Sequence, residues 1–365
     1  MAMIHRVIFV VGNTVQQENA VQVAKHMSSI HVSFLNLWTG KLHDKAFSFD
    51  GHSPSVSIRR ITQILFRSPI TAQDITVIPQ DVGLLQRLLV RRAKRAGSLT
   101  VLMPDGVAAA GANTNGSRAR LALRTLVDTA VKSMGLVEGK AGSMGSSKPH
   151  IVASWGAGWD SAFAAGEATE FRHLGCPRMD AYAFIPPPTE STNLLVCSQP
   201  LGIPSWSRPY AREWYAFLGE LLDQPIPNYH IRVRLHPAEQ NDPAVPERLR
   251  AAHLRQPLVT DIEWASQVAS PFSTVLVEAL AADRPFLALG RDKAFEAQAN
   301  RTPFFADKRI TVAPWTAKGV QSALHELRNP AGLREDYLSF IGTSARITGE
   351  LFETLAAQQL QLNGK

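Results

Sequence analysis

A pair of hydroxyls stands at the start of a predicted helix in the second half of this sequence. Ser273 and Thr274 precede the apolar run VLVEALAA, and the spacing predicts a helix over residues 274–282. A hydroxyl here can be an ordinary N-cap that accepts a hydrogen bond from a free backbone N–H. The same helix start also offers unpaired N–H groups and a partial positive charge, which bind phosphate. The pattern therefore indicates either an N-cap or a phosphate site.

A histidine follows the predicted strand IRVRL in the same half. His236 is succeeded by Pro237, which fixes the turn after the strand. The imidazole titrates near neutral pH, so it could donate to a departing phosphate or protonate it. It could equally be a capping group of the turn.

An Asp-Gly pair follows a predicted strand in the first half. The stretch LTVLMPDG places Asp105 directly before Gly106. An Asp-Gly pair is usually a turn. Across a cleft from a phosphate site, however, Asp105 would be a candidate general base.

Short apolar runs alternate with helical patterns along the chain. Continuous apolar runs are typical of parallel strands covered on both faces. The predicted strands lie at 6–12, 31–37, 75–79, 99–104, 150–155, 181–184, 193–198, 230–235, 257–260 and 285–290. The predicted helices lie at 14–27, 82–96, 117–134, 210–222 and 274–282. This alternation predicts an α/β protein with doubly wound sheets.

A proline-rich segment divides this pattern into two halves. IPPPTEST (185–192) has three consecutive prolines followed by polar residues, as in an extended linker. We therefore expect a first domain at 1–185, a linker at 186–192, a second domain at 193–331 and a helical tail at 332–365 that packs across both lobes. In doubly wound sheets, ligands bind outside the carboxyl ends of the strands, where all three motifs lie.

The order of the motifs carries a resemblance to a known family. Asp105-Gly106, then His236-Pro237, then Ser273-Thr274 resembles the order in bacterial sialyltransferases and Kdo transferases. The resemblance implies GT-B architecture, in which two Rossmann-like domains face a cleft and C-terminal helices follow. It also implies a base in the acidic-Gly motif and contacts from the other two motifs to the phosphate of CMP. The family usually has an acidic pair before the glycine, where this chain has Pro104-Asp105.

This resemblance implies a glycosyltransferase. The expected reaction transfers sialic acid or Kdo from a CMP-activated donor to a glycan or glycolipid acceptor in surface polysaccharide synthesis. Asp105 would deprotonate the acceptor hydroxyl, and His236 would stabilise or protonate the leaving phosphate. Donor-nucleotide contacts are expected from Gln199, Arg234, Pro237, Glu239, Ser270, Ser273, Thr274 and Glu278, with Glu278 on the ribose. Acceptor-side contacts are expected from Asn13, Asp81, Gly106, Trp155 and Gly156.

No metal and no cofactor beyond the CMP-sugar co-substrate is expected. The hydrogen bonds and helix end at the phosphate would replace a divalent ion, and the sequence has no clustered Asp-x-Asp motif to hold one.

Two alternatives remain open. GCPRMD (175–180), RLHPAE and STVLVEAL are also similar to sequences in CDP-glycerol glycerophosphotransferases and capsule-polymer transferases. That similarity implies transfer from a CDP or UDP donor. UDP-sugar 2-epimerases share the fold, but this chain lacks the glycine pair that they usually place at the helix start. The second alternative is a non-catalytic protein that binds nucleotides or glycans.

The charge distribution indicates an anionic partner. Residues 1–185 have 20 Lys and Arg against 12 Asp and Glu, a net +8, whereas residues 186–365 have 18 against 19, a net −1. A dense basic run within the first half comprises Arg87, Arg91, Arg92, Lys94 and Arg95. It is either a solvated helix face or a surface for an anionic acceptor or anionic membrane lipid. No nucleic-acid module accompanies it.

Two further features bear on location. No apolar run reaches the ~18 residues of a membrane span. The two cysteines form neither a disulfide framework nor a zinc pattern. We expect a cytoplasmic protein with possible peripheral contact to the inner membrane face.

Overall fold

The computed structural model divides the chain into two compact units. It describes residues 6–48, 69–106, 142–189, 191–202, 207–224, 226–240, 242–252, 256–299 and 301–363, and the single residues 126, 129, 130, 132, 133, 135, 137, 139 and 254. The first unit contains the described residues up to 178 and those from 337 onward, and the second contains the described residues from 179 to 336.

Twelve strands and eleven α-helices lie in the described ranges. The strands are β1 (Arg6–Val11), β2 (His31–Asn36), β3 (Leu42–His43), β4 (Asp74–Ile78), β5 (Leu99–Leu102), β6 (Ile151–Ser154), β7 (Glu170–His173), β8 (Asn193–Cys197), β9 (His230–Arg234), β10 (Gln267–Ser270), β11 (Phe286–Gly290) and β12 (Val312–Pro314). The helices are α1 (Thr14–Ala24), α2 (Leu84–Arg95), α3 (Ala211–Asp223), α4 (Glu247–Ala251), α5 (Leu258–Trp264), α6 (Thr274–Ala281), α7 (Lys293–Ala299), α8 (Pro303–Ala306), α9 (Ala317–Leu324), α10 (Leu333–Tyr337) and α11 (Ser344–Asn363).

The described strands of the first unit form one sheet in the order β3-β2-β1-β4-β5-β6-β7. All neighbours are parallel except β2 and β3, and Val7 of β1 is in register with Val32 and Ile75 on either side. Successive side chains of β1 point to opposite faces, and both faces are covered. Phe9 contacts Phe34 and Phe352 of α11 on one face, while Ile8 packs in a cluster with α2 on the other. This double burial explains the continuous apolar run of the strand.

The described strands of the second unit form a parallel sheet in the order β12-β11-β10-β8-β9. Val196 of β8 is in register with Ala269 of β10 and with Val233 of β9. The β8 strand is fully buried and lies between these two neighbours. The segments that follow β10, β8 and β9 consequently emerge side by side at one edge of the sheet.

Most of the predicted elements are confirmed, and two predicted strands are wrong. Residues 181–184 belong to a 3-10 helix at Pro177–Phe184. Residues 257–260 instead form the start of α5, because Pro257 occupies its N-cap and the helix buries Asp261 and Ile262. Short apolar runs of this kind do not distinguish a strand from a buried helix turn.

The prediction missed the short strands β3, β7, β10 and β12. The predicted helical character of the tail is confirmed by α10 and α11. The predicted helix at 117–134 lies almost wholly outside the described residues. No described helix is both long enough and apolar enough to cross a membrane.

Candidate functional site

Three predicted site segments meet at the carboxyl edge of the second unit's sheet. Gln199 follows β8, His236 follows β9, and Ser270 ends β10. The side-chain amide of Gln199 donates to the main-chain carbonyl of Phe272 at 2.9 Å, which joins the end of β8 to the turn after β10. The neighbouring Ser198 hydroxyl donates to Glu239 at 2.9 Å, which joins β8 to the turn after β9. The structure therefore brings these segments together around the end of β8.

The turn before α6 has an unusual backbone that its packing holds in place. Phe272 has a φ of +45°, a left-handed conformation that costs energy in a residue with a side chain. Its ring contacts Phe295 and Phe305, with centroids 5.9 and 5.4 Å away. These contacts and the Gln199 hydrogen bond stabilise the turn against its strain.

Ser273 is the N-cap of α6. Its side-chain oxygen accepts from the main-chain N–H of Val275 at 3.5 Å, and Thr274 is the first helical residue. Ser270 is fully buried, and its hydroxyl has no hydrogen-bond partner among the described residues. A buried hydroxyl without a partner is costly, so the edge beside α6 retains unused hydrogen-bonding capacity. The capping role is thus observed, while phosphate binding by these hydroxyls remains a prediction.

The ring of His236 is held in one tautomer. Its Nδ1 accepts from the main-chain N–H of Ala238 at 3.1 Å, so the neutral ring must carry its proton on Nε2. Although the residue as a whole is exposed, the surrounding chain desolvates the imidazole and lowers its pKa. At neutral pH His236 therefore presents an uncharged Nε2–H donor, and Pro237 is exposed beside it.

Glu239 lies inside the protein, behind the His236 turn. Its Oε2 accepts from the main-chain N–H of His236 at 2.8 Å, and its Oε1 accepts from Ser198 and from the Tyr215 hydroxyl, each at 2.9 Å. Burial raises the pKa of Glu239 to about 7 even though these bonds oppose the shift. We expected this carboxylate to contact the donor directly, but in the structure it faces inward and is fully buried.

The side chains of two other residues predicted to contact the donor nucleotide also face the protein interior. Arg234 donates to the buried Asp261 carboxylate and to the Gln256 carbonyl. Glu278 is 5% exposed, and its carboxylate interacts electrostatically with the buried Cys197 thiol. Burial raises the pKa of that thiol, the Glu278 charge raises it further, and Arg234 opposes the shift. These residues pack beneath the edge, so direct contact with a nucleotide remains a prediction for both.

The first unit holds the candidate base. Asp105 follows β5, and its Oδ2 accepts from the side-chain amide of Gln16 at 2.9 Å. Burial raises the pKa of Asp105, while this hydrogen bond and the charge of Arg178 oppose the shift. Asn13 caps α1 by accepting from the Gln16 main-chain N–H at 2.9 Å. The ends of β1 and β5 are thus linked through Gln16.

The other predicted acceptor-side residues have structural contacts. Asp81 is fully buried and accepts from the main-chain N–H groups of Gly145 and Ser147 at 2.7 and 2.9 Å. Trp155 is buried, and its indole N–H donates to the Pro104 carbonyl at 3.1 Å. The Gly156 carbonyl accepts from the Ser154 hydroxyl at 3.3 Å, and Gly106 directly follows Asp105 in the chain. Acceptor contact at all four positions remains a prediction.

The residues that position the candidate side chains were not predicted from the sequence. Gln16 supports Asp105, whereas Ser198 and Tyr215 support Glu239. The sequence holds one usable indication, because Gln16 lies three residues after Asn13 at the start of α1, directly beyond a strand end. Nothing in the local sequence marks Tyr215, which reaches Glu239 from α3.

The basic run on α2 is only partly solvated. Arg87 is 1% exposed, Arg91, Arg92 and Lys94 are half-buried, and Arg95 is exposed. Lys94 donates to the Lys148 carbonyl at 3.2 Å. A uniformly solvated helix face is therefore excluded for this run.

Within the described ranges, no group of three or more His, Cys, Asp or Glu side chains could hold a metal ion.

Comparisons with solved structures define the fold. One similar structure is the H444N variant of the wall teichoic acid polymerase TagF, with a TM-score of 0.56 and 12% identity over 98% of this chain and 90% of that one. Another is a putative UDP-N-acetylglucosamine 2-epimerase from Listeria monocytogenes, with a TM-score of 0.56 and 12% identity over 100% and 98% of the two chains. The complex of S. aureus MnaA with UDP has a TM-score of 0.54 and 12% identity over 98% of each chain.

No family model and no curated protein matches the sequence. At such low identity the structural similarity establishes the fold alone. The chain has the GT-B fold, with two Rossmann-like domains.

Proposed function

We propose that this protein is a GT-B transferase that binds a nucleotide-activated donor at the carboxyl edge of its second sheet. The observation that carries the proposal is the convergence of Gln199, His236 and the Ser270–Thr274 turn at the end of β8. Ligands of doubly wound sheets bind at such edges. An exposed imidazole N–H donor and a helix N-terminus next to a buried, unpartnered hydroxyl suit the oxygens of a phosphate group.

The donor we favour is a nucleoside diphosphate derivative, such as CDP-glycerol or a UDP-sugar, used in the synthesis of a surface polymer. The similar structures support this choice, since they include TagF H444N soaked with CDPG and MnaA with UDP. The stretches RLHPAE and STVLVEAL support it from the sequence, through their similarity to polymer transferases. The second candidate is a CMP-activated acidic sugar, either sialic acid or Kdo, which the order of the three motifs favours.

The residues of the second unit would stabilise the leaving group. When the acceptor oxygen forms its new bond and the bond to the leaving phosphate breaks, negative charge develops on the phosphate oxygens. Neutral His236 would donate its Nε2–H to one of these oxygens, and Ser273, Thr274 and the start of α6 would bind others. Because the pKa of His236 is lowered, the ring acts chiefly as a hydrogen-bond donor at neutral pH.

Asp105 would accept the proton of the attacking hydroxyl. Its carboxyl is partly buried, and its raised pKa gives it more basic strength than an exposed aspartate. The acceptor we propose is an anionic glycan or glycolipid, because the net charge of +8 lies in residues 1–185. With such an acceptor, the protein would act at the cytoplasmic face of a membrane.

A nucleotide panel tests the proposal. The melting temperature of the purified protein is measured with CMP, CDP, UDP and GDP. Activated donors that contain the most stabilising nucleotide are then supplied, and the products are identified by mass spectrometry. We expect CDP or UDP to stabilise more than CMP, and stabilisation by CMP alone would favour the second candidate. Tight binding with no turnover would support a non-catalytic binding protein, and no stabilisation by any nucleotide would contradict the proposal.

A further inference from the structure

The buried carboxyl of Glu239 connects three elements behind the His236 turn. Ser198 at the end of β8 and Tyr215 on α3 donate to its Oε1, and the main-chain N–H of His236 donates to its Oε2. The Ser198 hydroxyl is in turn fixed by the indole N–H of Trp214, which donates to it at 2.8 Å. Ser198 and Tyr215 are buried, whereas His236, whose main-chain N–H also contacts this carboxyl, is an exposed residue.

We propose that Glu239 is the positioning residue of His236. By holding the main-chain N–H of His236, it fixes the turn in which Nδ1 accepts from Ala238, and so keeps Nε2–H available to a phosphate ligand. This inference rests on the proposed nucleotide site and deepens it, since it names the group that sets the tautomer of the phosphate-binding histidine.

The anchor requires an oxygen that accepts from the His236 N–H. A glutamine could supply it, because its NH₂ group can donate to the Ser198 and Tyr215 hydroxyls, each of which can also accept. A protonated glutamate keeps the anchor, because Tyr215 can reverse its hydroxyl and accept from Oε1 while Oε2 still accepts from His236. The network therefore tolerates both protonation states of Glu239 and a glutamine, but not a side chain without an oxygen.

The titratable and charged groups that face this carboxyl are few. Tyr215 faces it from α3, Asp242 acts on it from the segment before α4, and the His236 ring belongs to its own turn. Burial and the Asp242 charge both raise the pKa of Glu239, and no cation among the described residues acts on it. The carboxyl consequently changes protonation state close to neutral pH.

The test compares Glu239→Met, which removes the accepting oxygen, with Tyr215→Phe, which loosens the same network without touching His236. NMR of ¹⁵N-labelled imidazole reports the tautomer of His236, whose signals are assigned by their loss in His236→Ala, and calorimetry with CDP reports affinity. We expect Glu239→Met to lose the fixed Nε2–H tautomer and to bind CDP about tenfold more weakly, as for one lost hydrogen bond to a charged ligand. Tyr215→Phe should keep the tautomer and change the affinity by less than about threefold.

Equal tautomers and equal CDP affinities in the two variants would overturn the proposal. If the wild-type protein binds no nucleotide, the proposed function fails, yet the NMR comparison still decides the positioning role. If Glu239→Met does not fold, the main-chain amide of residue 236 is titrated in His236→Ala, where no imidazole is present. A step in its proton shift near pH 7 supports the anchor, and a flat titration overturns it.

Discussion

The side-chain amide of Gln16 donates to Asp105 at 2.9 Å, while its own oxygen accepts from the main-chain N–H of Gly12 at 2.7 Å. Gln16 therefore ties the candidate base to the turn after β1. This hydrogen bond opposes the effect of burial on the pKa of Asp105, so it favours the ionised carboxylate.

Replacing Gln16 by leucine should shift the pH dependence of turnover. Loss of the hydrogen bond raises the pKa of Asp105 further, so the base stays protonated to a higher pH. The acid limb of the kcat/KM profile should move to higher pH, so activity should fall more on the acid side of the profile than on the alkaline side. Gln22→Leu, an exposed change on the same helix, should leave the profile where it is. Coincident acid limbs in wild type and Gln16→Leu would exclude Asp105 as the titrating base.

Replacing His236 by alanine should lower turnover by roughly 10²-fold or more, because the leaving phosphate loses a hydrogen-bond donor. The free energy of unfolding should change by about 1 kcal/mol or less, since the exposed ring accepts one main-chain hydrogen bond. His230→Ala is the matched control, because His230 is exposed at the opposite end of β9. Full turnover in His236→Ala would remove His236 from the mechanism.

The pH dependence of the free energy of unfolding should reveal the titration of Glu239. The folded protein holds the proton of this carboxyl up to about pH 7, whereas the unfolded chain releases it near the ordinary glutamate pKa of 4.5. Stability from this group is therefore greatest at low pH and is lost as the pH rises to about 7, by roughly 3 kcal/mol in total. Urea unfolding of wild type and Glu239→Gln at pH 5 and pH 8 should show this difference in pH slope. Parallel slopes would mean that Glu239 titrates normally.

The basic run on α2 should act on the acceptor rather than on the donor. Changing Arg91, Arg92 and Arg95 to glutamine should raise the KM for an anionic acceptor or weaken binding to anionic vesicles. Each charge near such a surface contributes about 1 kcal/mol, and salt at 0.1 M screens it over ~10 Å. The donor KM should change little.

The matched control removes three exposed charges from the second unit, through Arg212→Gln, Lys293→Gln and Lys308→Gln. This control should bind acceptor and vesicles like wild type. An α2 variant that also does so at low salt would show that the run has no anionic partner.

Much of the fold could be predicted from the sequence, because long buried strands such as β1 and β8 have continuous apolar runs. The short strand β10 could not, since QVAS has two polar residues and is held by its neighbours in the sheet. Likewise PLVT has the composition of a strand, but Pro257 and the buried Asp261 make it the start of a helix.

The sequence indicates where the candidate site residues lie, but not which residues contact them. The strand-end rule located His236 and Ser273, since it depends on topology alone. It could not show that Glu239 faces inward, because that depends on Tyr215 and Ser198, which reach it from other elements. Contacts between residues distant in sequence are fixed by packing, which a single sequence does not display.

The most direct test of the nucleotide site is calorimetry with CDP and UDP on Ser273→Ala/Thr274→Ala, together with its melting temperature. We expect the binding free energy to weaken by about 1.5–3 kcal/mol for each charge-assisted hydrogen bond lost. Thr316→Ala removes the equivalent N-cap from α9, whose Thr316 accepts from Gly319 at 3.1 Å, and should lower stability while leaving affinity intact. A double variant that melts earlier but binds the nucleotide like wild type would contradict the account, because the hydroxyls would then be caps alone.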